Sequence, residues 1–224
     1  MARVDIEFTG ERLVPGKTNP DVHKEHIDRY MFAAGMAAGK TVLDVACGTG
    51  YGAGLMAEGG AAVTGVDMSL EAVRYARDWF GDNGCVTFVC ADAVHLPFPD
   101  RSFQVVISFE TLEHIRAYRQ FLAECRRVLA DEGVLVCSTP NRRVFSPSMA
   151  RPLNPFHVKE FWPDEFRRLL GRHFRSIQFY GQCDVNLADH SVERTHGVRR
   201  FIDDNETSSA YIIAVARKKT ARRS

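Results

Sequence analysis

The spacing of apolar positions changes several times along the chain, and those changes mark its elements. Short runs of aliphatic and β-branched residues at 41–46, 62–67, 86–90, 103–109 and 133–139 predict strands. Stretches at 51–58, 69–79 and 117–129 carry helical spacing instead. Ser69 is a candidate N-cap of the second stretch, and Tyr118, Phe121, Leu122, Cys125, Val128 and Leu129 form the stripe of the third. Upstream, a turn-rich entry at 3–19 leads into a helix over 22–38, packed through Ile27, Tyr30 and Met31, which could lay Arg29 or Tyr30 over a ligand. After Pro140 the regularity lapses into a loop, 141–162, rich in Pro, Arg and aromatic residues. Pro163 opens a short helix to about Leu170, and strands at 174–180 and 210–217 bracket a polar segment, 183–207, containing His190 and His196. Apolar strands alternating with helices predict an α/β fold, a mostly parallel sheet covered on both faces, with ligands gathered at the carboxyl ends of the strands. The expected organisation is an entry loop and lid helix over 1–39, one domain over 40–217, and a solvated basic tail over 218–224.

Composition adds limits. At 224 residues, 45% hydrophobic and 25% charged, the chain suits one globular domain with a substantial core. A formal net charge of +1 offers no global attraction to nucleic acid or an anionic membrane, so any such contact needs a local patch. No apolar run approaches membrane-spanning length, and residues 1–5 carry no signal-peptide core. The six cysteines form no C-x-x-C pair, and several lie in strand-like runs where a thiol acts as a small hydrophobe. These features predict a reduced, cytoplasmic protein, monomeric or homodimeric, whose partner is a small molecule rather than nucleic acid or membrane.

The candidate chemistry centres on Thr41–Gly52, a strand ending in an acid followed by a glycine-rich turn where a ligand can lie against main-chain atoms. Gly48-x-Gly50-x-x-Ala53, with Asp67 downstream, satisfies the loose dinucleotide fingerprint and leaves a nicotinamide enzyme open. The full run, Asp44-x-x-Cys47-Gly48-x-Gly50-x-Gly52, resembles motif I of class I S-adenosylmethionine-dependent methyltransferases, in the methyltransferase type 11 branch with ubiquinone-pathway O-methyltransferases. The resemblance continues through residues 63–69, 90–93 and 103–109 and covers about 40–140. It implies a Rossmann-like seven-stranded sheet with a C-terminal antiparallel hairpin and helices on both faces. It also implies S-adenosylmethionine as cofactor: backbone at Ala46, Gly48 and Gly50 against the ribose and methionine portion, Asp44 toward the amino group, Asp67 on the ribose hydroxyls, Met68 beside the adenine, Asp92 and Ala93 on the adenine edge, and Phe109 at the methionine end.

Glu110-Thr111-Leu112-Glu113-His114 follows the fourth strand. In a helix, positions 110, 113 and 114 would share a face. The E-x-x-E-H run resembles the metal site of ubiquinone-pathway and small-RNA 2′-O-methyltransferases, which implies Glu110, Glu113, His114 and the later His157 as ligands of magnesium, manganese or another first-row ion. A metal-free alternative uses His114 or His157 as a base or orienting group, with Glu113 beside them; a purely structural role is the third. Tyr51, Phe145, Phe156, Trp162 and the 183–207 segment are candidates to shape an acceptor pocket. The expected activity is methyl transfer to a hydroxyl of a sugar, phenolic or other metabolite. N- or C-methylation and a non-catalytic S-adenosylmethionine-binding protein are the alternatives.

Overall fold

A computed structural model describes residues 5–81, 84–185, 192–193, 197–200 and 209–218. Helix α1 (Pro20–Ala37) precedes an alternation of β1 (Thr41–Val45), α2 (Tyr51–Glu58), β2 (Ala62–Asp67), α3 (Leu70–Phe80), β3 (Val86–Cys90), β4 (Phe103–Ser108), α4 (Tyr118–Val128) and β5 (Leu129–Pro140). Then come the short α5 (Arg142–Phe145), α6 (Pro163–Gly171), β6 (Phe174–Val185), the two-residue β7 (Val192–Glu193) and β8 (Arg199–Arg200), and β9 (Ser209–Lys218). The sheet runs β3-β2-β1-β4-β5-β9-β6, with β7 and β8 extending it beside β6. Neighbours from β3 to β5 are parallel, while β9 is antiparallel to both β5 and β6. This is the seven-stranded Rossmann-like sheet with its antiparallel closing pair. His190 and His196 lie outside the described residues.

Both faces are covered, which is why the strands read as continuous apolar runs. Val42, Val105, Ile107, Val134, Val136, Ile213 and Val215 pack toward α1 and α2. Their neighbours Leu43, Val106, Leu135, Ala214 and Ala216 pack toward α4 and α6. Ser69 caps α3 through Ala72 N, as its position predicts. Asn19 caps α1, with Pro20 in the first turn. The inward face of α1 is rotated from the expected one. Met31 is 58% exposed, whereas Glu25, Arg29, Tyr30, Ala33 and Ala37 are buried. Arg29 can be buried because Nη1 donates to Gln182 Oε1 at 2.6 Å and its guanidinium lies 4.5 Å over the Tyr211 ring.

One contact ties α1 to the centre of the sheet. Asp44, fully buried in β1, accepts from the Tyr30 hydroxyl at 3.2 and 3.1 Å. Tyr30 reaches it only because position 52 lacks a side chain: a Cβ on Gly52 would lie 2.1 Å from the Tyr30 ring. Burial pushes the Asp44 carboxyl up to about 7, against the Tyr30 hydrogen bond and helped by the charge of Asp67.

Gly52→Ala should therefore displace Tyr30 and lower stability by ~1–3 kcal/mol in urea unfolding; an unchanged midpoint would refute that coupling. Because the folded carboxyl titrates above its unfolded range near 4, the fold holds the extra proton between those values and loses stability as pH rises through about 7. Asp44→Asn should accordingly gain on the parent, by a few kcal/mol in order of magnitude, between about pH 4 and about pH 8. A pH-independent difference would show that Asp44 is not held neutral.

Candidate active site

The carboxyl ends of the strands open into a cavity of about 760 Å³, within the roughly 300–1,000 Å³ usual for small-molecule sites. Its first wall is the turn after β1. Ala46 and Gly48 take positive φ of 60° and 55°, and Gly50, at φ 80°, caps α2. Gly48 N donates to Asp67 Oδ2 and Ser69 N to Asp67 Oδ1, both at 2.9 Å. Each Asp67 oxygen thus accepts one amide, which fixes the carboxylate while leaving acceptor capacity on both oxygens. Ala46, Gly48, Asp67, Met68, Asp92, Ala93 and Phe109 all line the cavity, and Met68 is 79% exposed. The loop bearing Asp92 is braced from α4. Arg127 donates to Leu96 O and Phe98 O, and Glu124 accepts from Leu96 N.

Two of the expected cofactor residues lie one layer back. Gly50 is not in the cavity wall; a Cβ there would meet Ala76 Cβ at 2.6 Å and Phe88 at 2.8 Å, so its glycine serves the packing of the turn. Asp44 is also absent from the wall and touches it through Tyr30, whose ring packs edge-on to Phe109 at 5.0 Å. Arg29 is likewise off the wall, whereas Tyr30, Tyr51 and Phe145 are on it; Phe156 and Trp162 are not.

The second wall differs from the helical face expected over 110–114. Glu110 takes a φ of 49°, and only Leu112–His114 coil, as one 3₁₀ turn. Glu110 accordingly turns to Ser138, whose hydroxyl donates to its Oε1 at 2.5 Å. Glu113 is fully buried. Thr139 Oγ1 donates to its Oε2 at 3.1 Å, while Oε1 has no partner and lies 3.9 Å from His114 Nε2. Burial and the neighbouring Glu110 push the Glu113 carboxyl well above the usual range.

His114 and His157 do come together, with ring centroids 5.0 Å apart. Their partners define the tautomers. His114 Nδ1 lies 3.1 Å from the Phe156 carbonyl, so Nδ1–H is the donor and Nε2 is turned toward the carboxylates. Asn154 Oδ1 accepts from Phe156 N, which leaves its Nδ2 to donate to His157 Nε2 at 3.1 Å; His157 Nδ1–H then donates to Glu160 Oε1 at 3.0 Å. Glu160 is 1% exposed. Burial opposes its charge, yet hydrogen bonds from His157 and Ser146 outweigh it and hold the carboxyl below the usual range.

Glu11 completes the cluster. Its Oε2 lies 3.5 Å from His114 Nε2 and its Oε1 accepts from Asn154 at 2.8 Å. Ligating atoms of Glu11, His114 and His157 fall within 4.8 Å of one another, whereas the expected ligands Glu110 and Glu113 both stand outside that group. Glu11, Asn154 and Glu160 are the residues missed by motif reading. Only the i, i+3 spacing of His157 and Glu160 gave any signal; Glu11 arrives from 103 positions before His114.

Residues 43–137 match the family described as Methyltransferase domain. A probable S-adenosylmethionine-dependent methyltransferase of Mycolicibacterium smegmatis is 39% identical over 166 residues, 74% of this chain and 63% of its own. A malonyl-[acyl-carrier protein] O-methyltransferase of Geobacter sulfurreducens is 32% identical over 174 residues, 72% of this chain and 65% of its own. The chain thus spans somewhat under two thirds of the length of these relatives. Among solved structures, a SAM-dependent methyltransferase of Thermotoga maritima superposes with a TM-score of 0.68 over 88% of this chain and 92% of its own, at 16% identity, a likeness of fold alone. Among the described residues no helix is long and apolar enough to cross a membrane. With the β3-β2-β1-β4-β5-β9-β6 sheet and the glycine-rich turn after β1, these matches support a class I S-adenosylmethionine-dependent methyltransferase.

Proposed function

We propose that this protein transfers a methyl group from S-adenosylmethionine to a hydroxyl oxygen of a small molecule, with His157 as general base. The observation that carries the reading is the Glu160–His157 pair. A buried carboxylate holds the imidazole proton on Nδ1, so the Nε2 lone pair is presented at the cavity wall. The residues also fit the cofactor. Asp67 offers two partly free oxygens to a vicinal diol, and Gly48 has no side chain at the wall; a Cβ there would meet only Arg12 Cγ, at 3.8 Å. Asp92 and the Ala93 amide suit the edge of a base beside exposed Met68. When bound, S-adenosylmethionine supplies an electrophilic methyl carbon on a sulfonium. As the acceptor oxygen bonds to that carbon and the sulfur–carbon bond breaks, the hydroxyl proton passes to His157 Nε2 in place of the Asn154 hydrogen bond. Glu160 then stabilises the imidazolium. The O-methyltransferase name of the Geobacter relative supports an oxygen acceptor.

One observation favours a second reading. His114 Nε2 faces Glu11 Oε2 at 3.5 Å and the unpartnered Glu113 Oε1 at 3.9 Å. A divalent cation there would bridge the imidazole and the Glu11 carboxylate. Both histidines have Nδ1 anchored, one to a carbonyl and one to a carboxylate, as metal-ligating imidazoles have. Glu11, His114 and His157 would hold a divalent ion, with manganese or another first-row metal favoured over magnesium by the two nitrogens. The ion would lower the pKa of an acceptor hydroxyl. Glu110, committed to Ser138, drops out of the ligand set.

His157→Ala and Glu160→Gln should each reduce turnover, His157→Ala by ~10²–10⁴-fold, with binding of S-adenosylhomocysteine in calorimetry unchanged. Full turnover in His157→Ala would remove the base. Activity insensitive to chelator is expected for the first reading. Manganese binding seen by electron paramagnetic resonance, abolished by Glu11→Ala and His114→Ala but retained in Glu110→Gln, would select the second.

A further inference from the structure

We propose that the rim of the cavity docks on an anionic lipid bilayer and that the acceptor is taken from that interface, an inference resting on the acceptor site assigned above. Nine large apolar side chains are exposed among the described residues, and four of them, Met149, Leu153, Phe156 and Val158, fall within the ten residues 149–158. Leu153 is 63% exposed and also lines the cavity, so this cluster is at its mouth. Phe156 reaches across to the N-terminal segment: a Cβ on Gly10 would lie 3.9 Å from its ring.

The charge around the mouth is one-sided. No Asp or Glu occurs from 133 to 159, whereas Arg142, Arg143, Arg151 and Lys159 do, the last paired with Glu165 at 2.5 Å. Arg119 joins them from the start of α4; its guanidinium lies 5.8 Å from the Tyr118 ring and Lys159 Nζ 5.6 Å from the same ring. Among the described residues, Arg119, Arg143 and Arg151 have no carboxylate within ion-pair distance, while Glu11 and Glu160 turn inward to the histidines. Apolar tips flanked by unpaired arginines match an interface of acyl chains beneath anionic headgroups, where arginine stems stay in the apolar layer and their heads reach phosphate. The near-neutral net charge offers no global attraction to a membrane, so the docking rests on this local patch.

The test is co-sedimentation of the full chain with phosphatidylcholine vesicles, with and without phosphatidylglycerol. Binding is expected only to vesicles containing phosphatidylglycerol and should weaken about tenfold or more in Met149→Glu/Arg151→Glu. It should persist in Arg222→Glu/Arg223→Glu, which removes charge from the basic tail. Failure to sediment, retention by the rim variant, loss through the tail variant, or capture of an acidic carrier protein in place of vesicles would each overturn the inference. Calorimetry with S-adenosylhomocysteine on the same samples separates the two levels. Nucleoside binding without vesicle binding removes the docking surface alone; absence of both removes the methyltransferase reading with it.

Discussion

The hydrogen bonds from Tyr30 to Asp44 are the constraint on which the arrangement around the cavity depends. A carboxyl buried in the central strand loses the solvation of its charge, and its partner must come from a helix that is not part of the alternating unit. That requirement fixes α1 over β1, and the fixed helix supplies Val22, His26 and Tyr30 to the cavity wall. Tyr51, at the start of α2, is drawn in as well. Its hydroxyl is 2.8 Å from His26 Nδ1, and its ring packs edge-on against Tyr30 at 5.4 Å. Burial holds His26 well below the usual imidazole range, so this side of the cavity stays uncharged while the opposite wall carries carboxylates.

The strands and the first wall were legible in the sequence because they are local. Strand period, the β1 turn and the Ser69 cap are each decided by residues within a few positions, and β1, β2 and β3 agree with the apolar runs to within a residue. The position of Asp67 at the end of β2 is local in the same way, since its two amide partners are Gly48, on the adjoining strand's turn, and Ser69, two residues on. The inward face of α1 was misjudged because hydrophobicity favoured Ile27 and Met31, whereas burial of Arg29 is stabilised by Gln182 and Tyr211, far away in sequence.

The second wall was only half legible. Its histidines carry a visible motif, but their function depends on what each ring nitrogen meets, and those partners are a carbonyl at 156, an amide at 154 and carboxylates at 160 and 11. Glu110 shows the limit of periodicity: one residue with φ 49° ends the helical register and sends its carboxylate to Ser138. No pattern of residue types in that pentapeptide distinguishes a 3₁₀ turn from an α-helical one.

The entry segment bears on the order of assembly. It is held by Thr49 Oγ1 donating to Leu13 O, by packing of Ile6 and Val14 on Ala72 and Tyr75, and by Glu11 on Asn154 across 143 positions. Contacts that close such long loops lose chain entropy before they gain energy, so this strap docks onto a sheet already built. The entry segment is then among the last to find its place, and the cluster of Glu11, His114 and His157 comes into being as folding finishes. A partly folded chain could hold its glycine-rich turn and still have no completed acceptor wall.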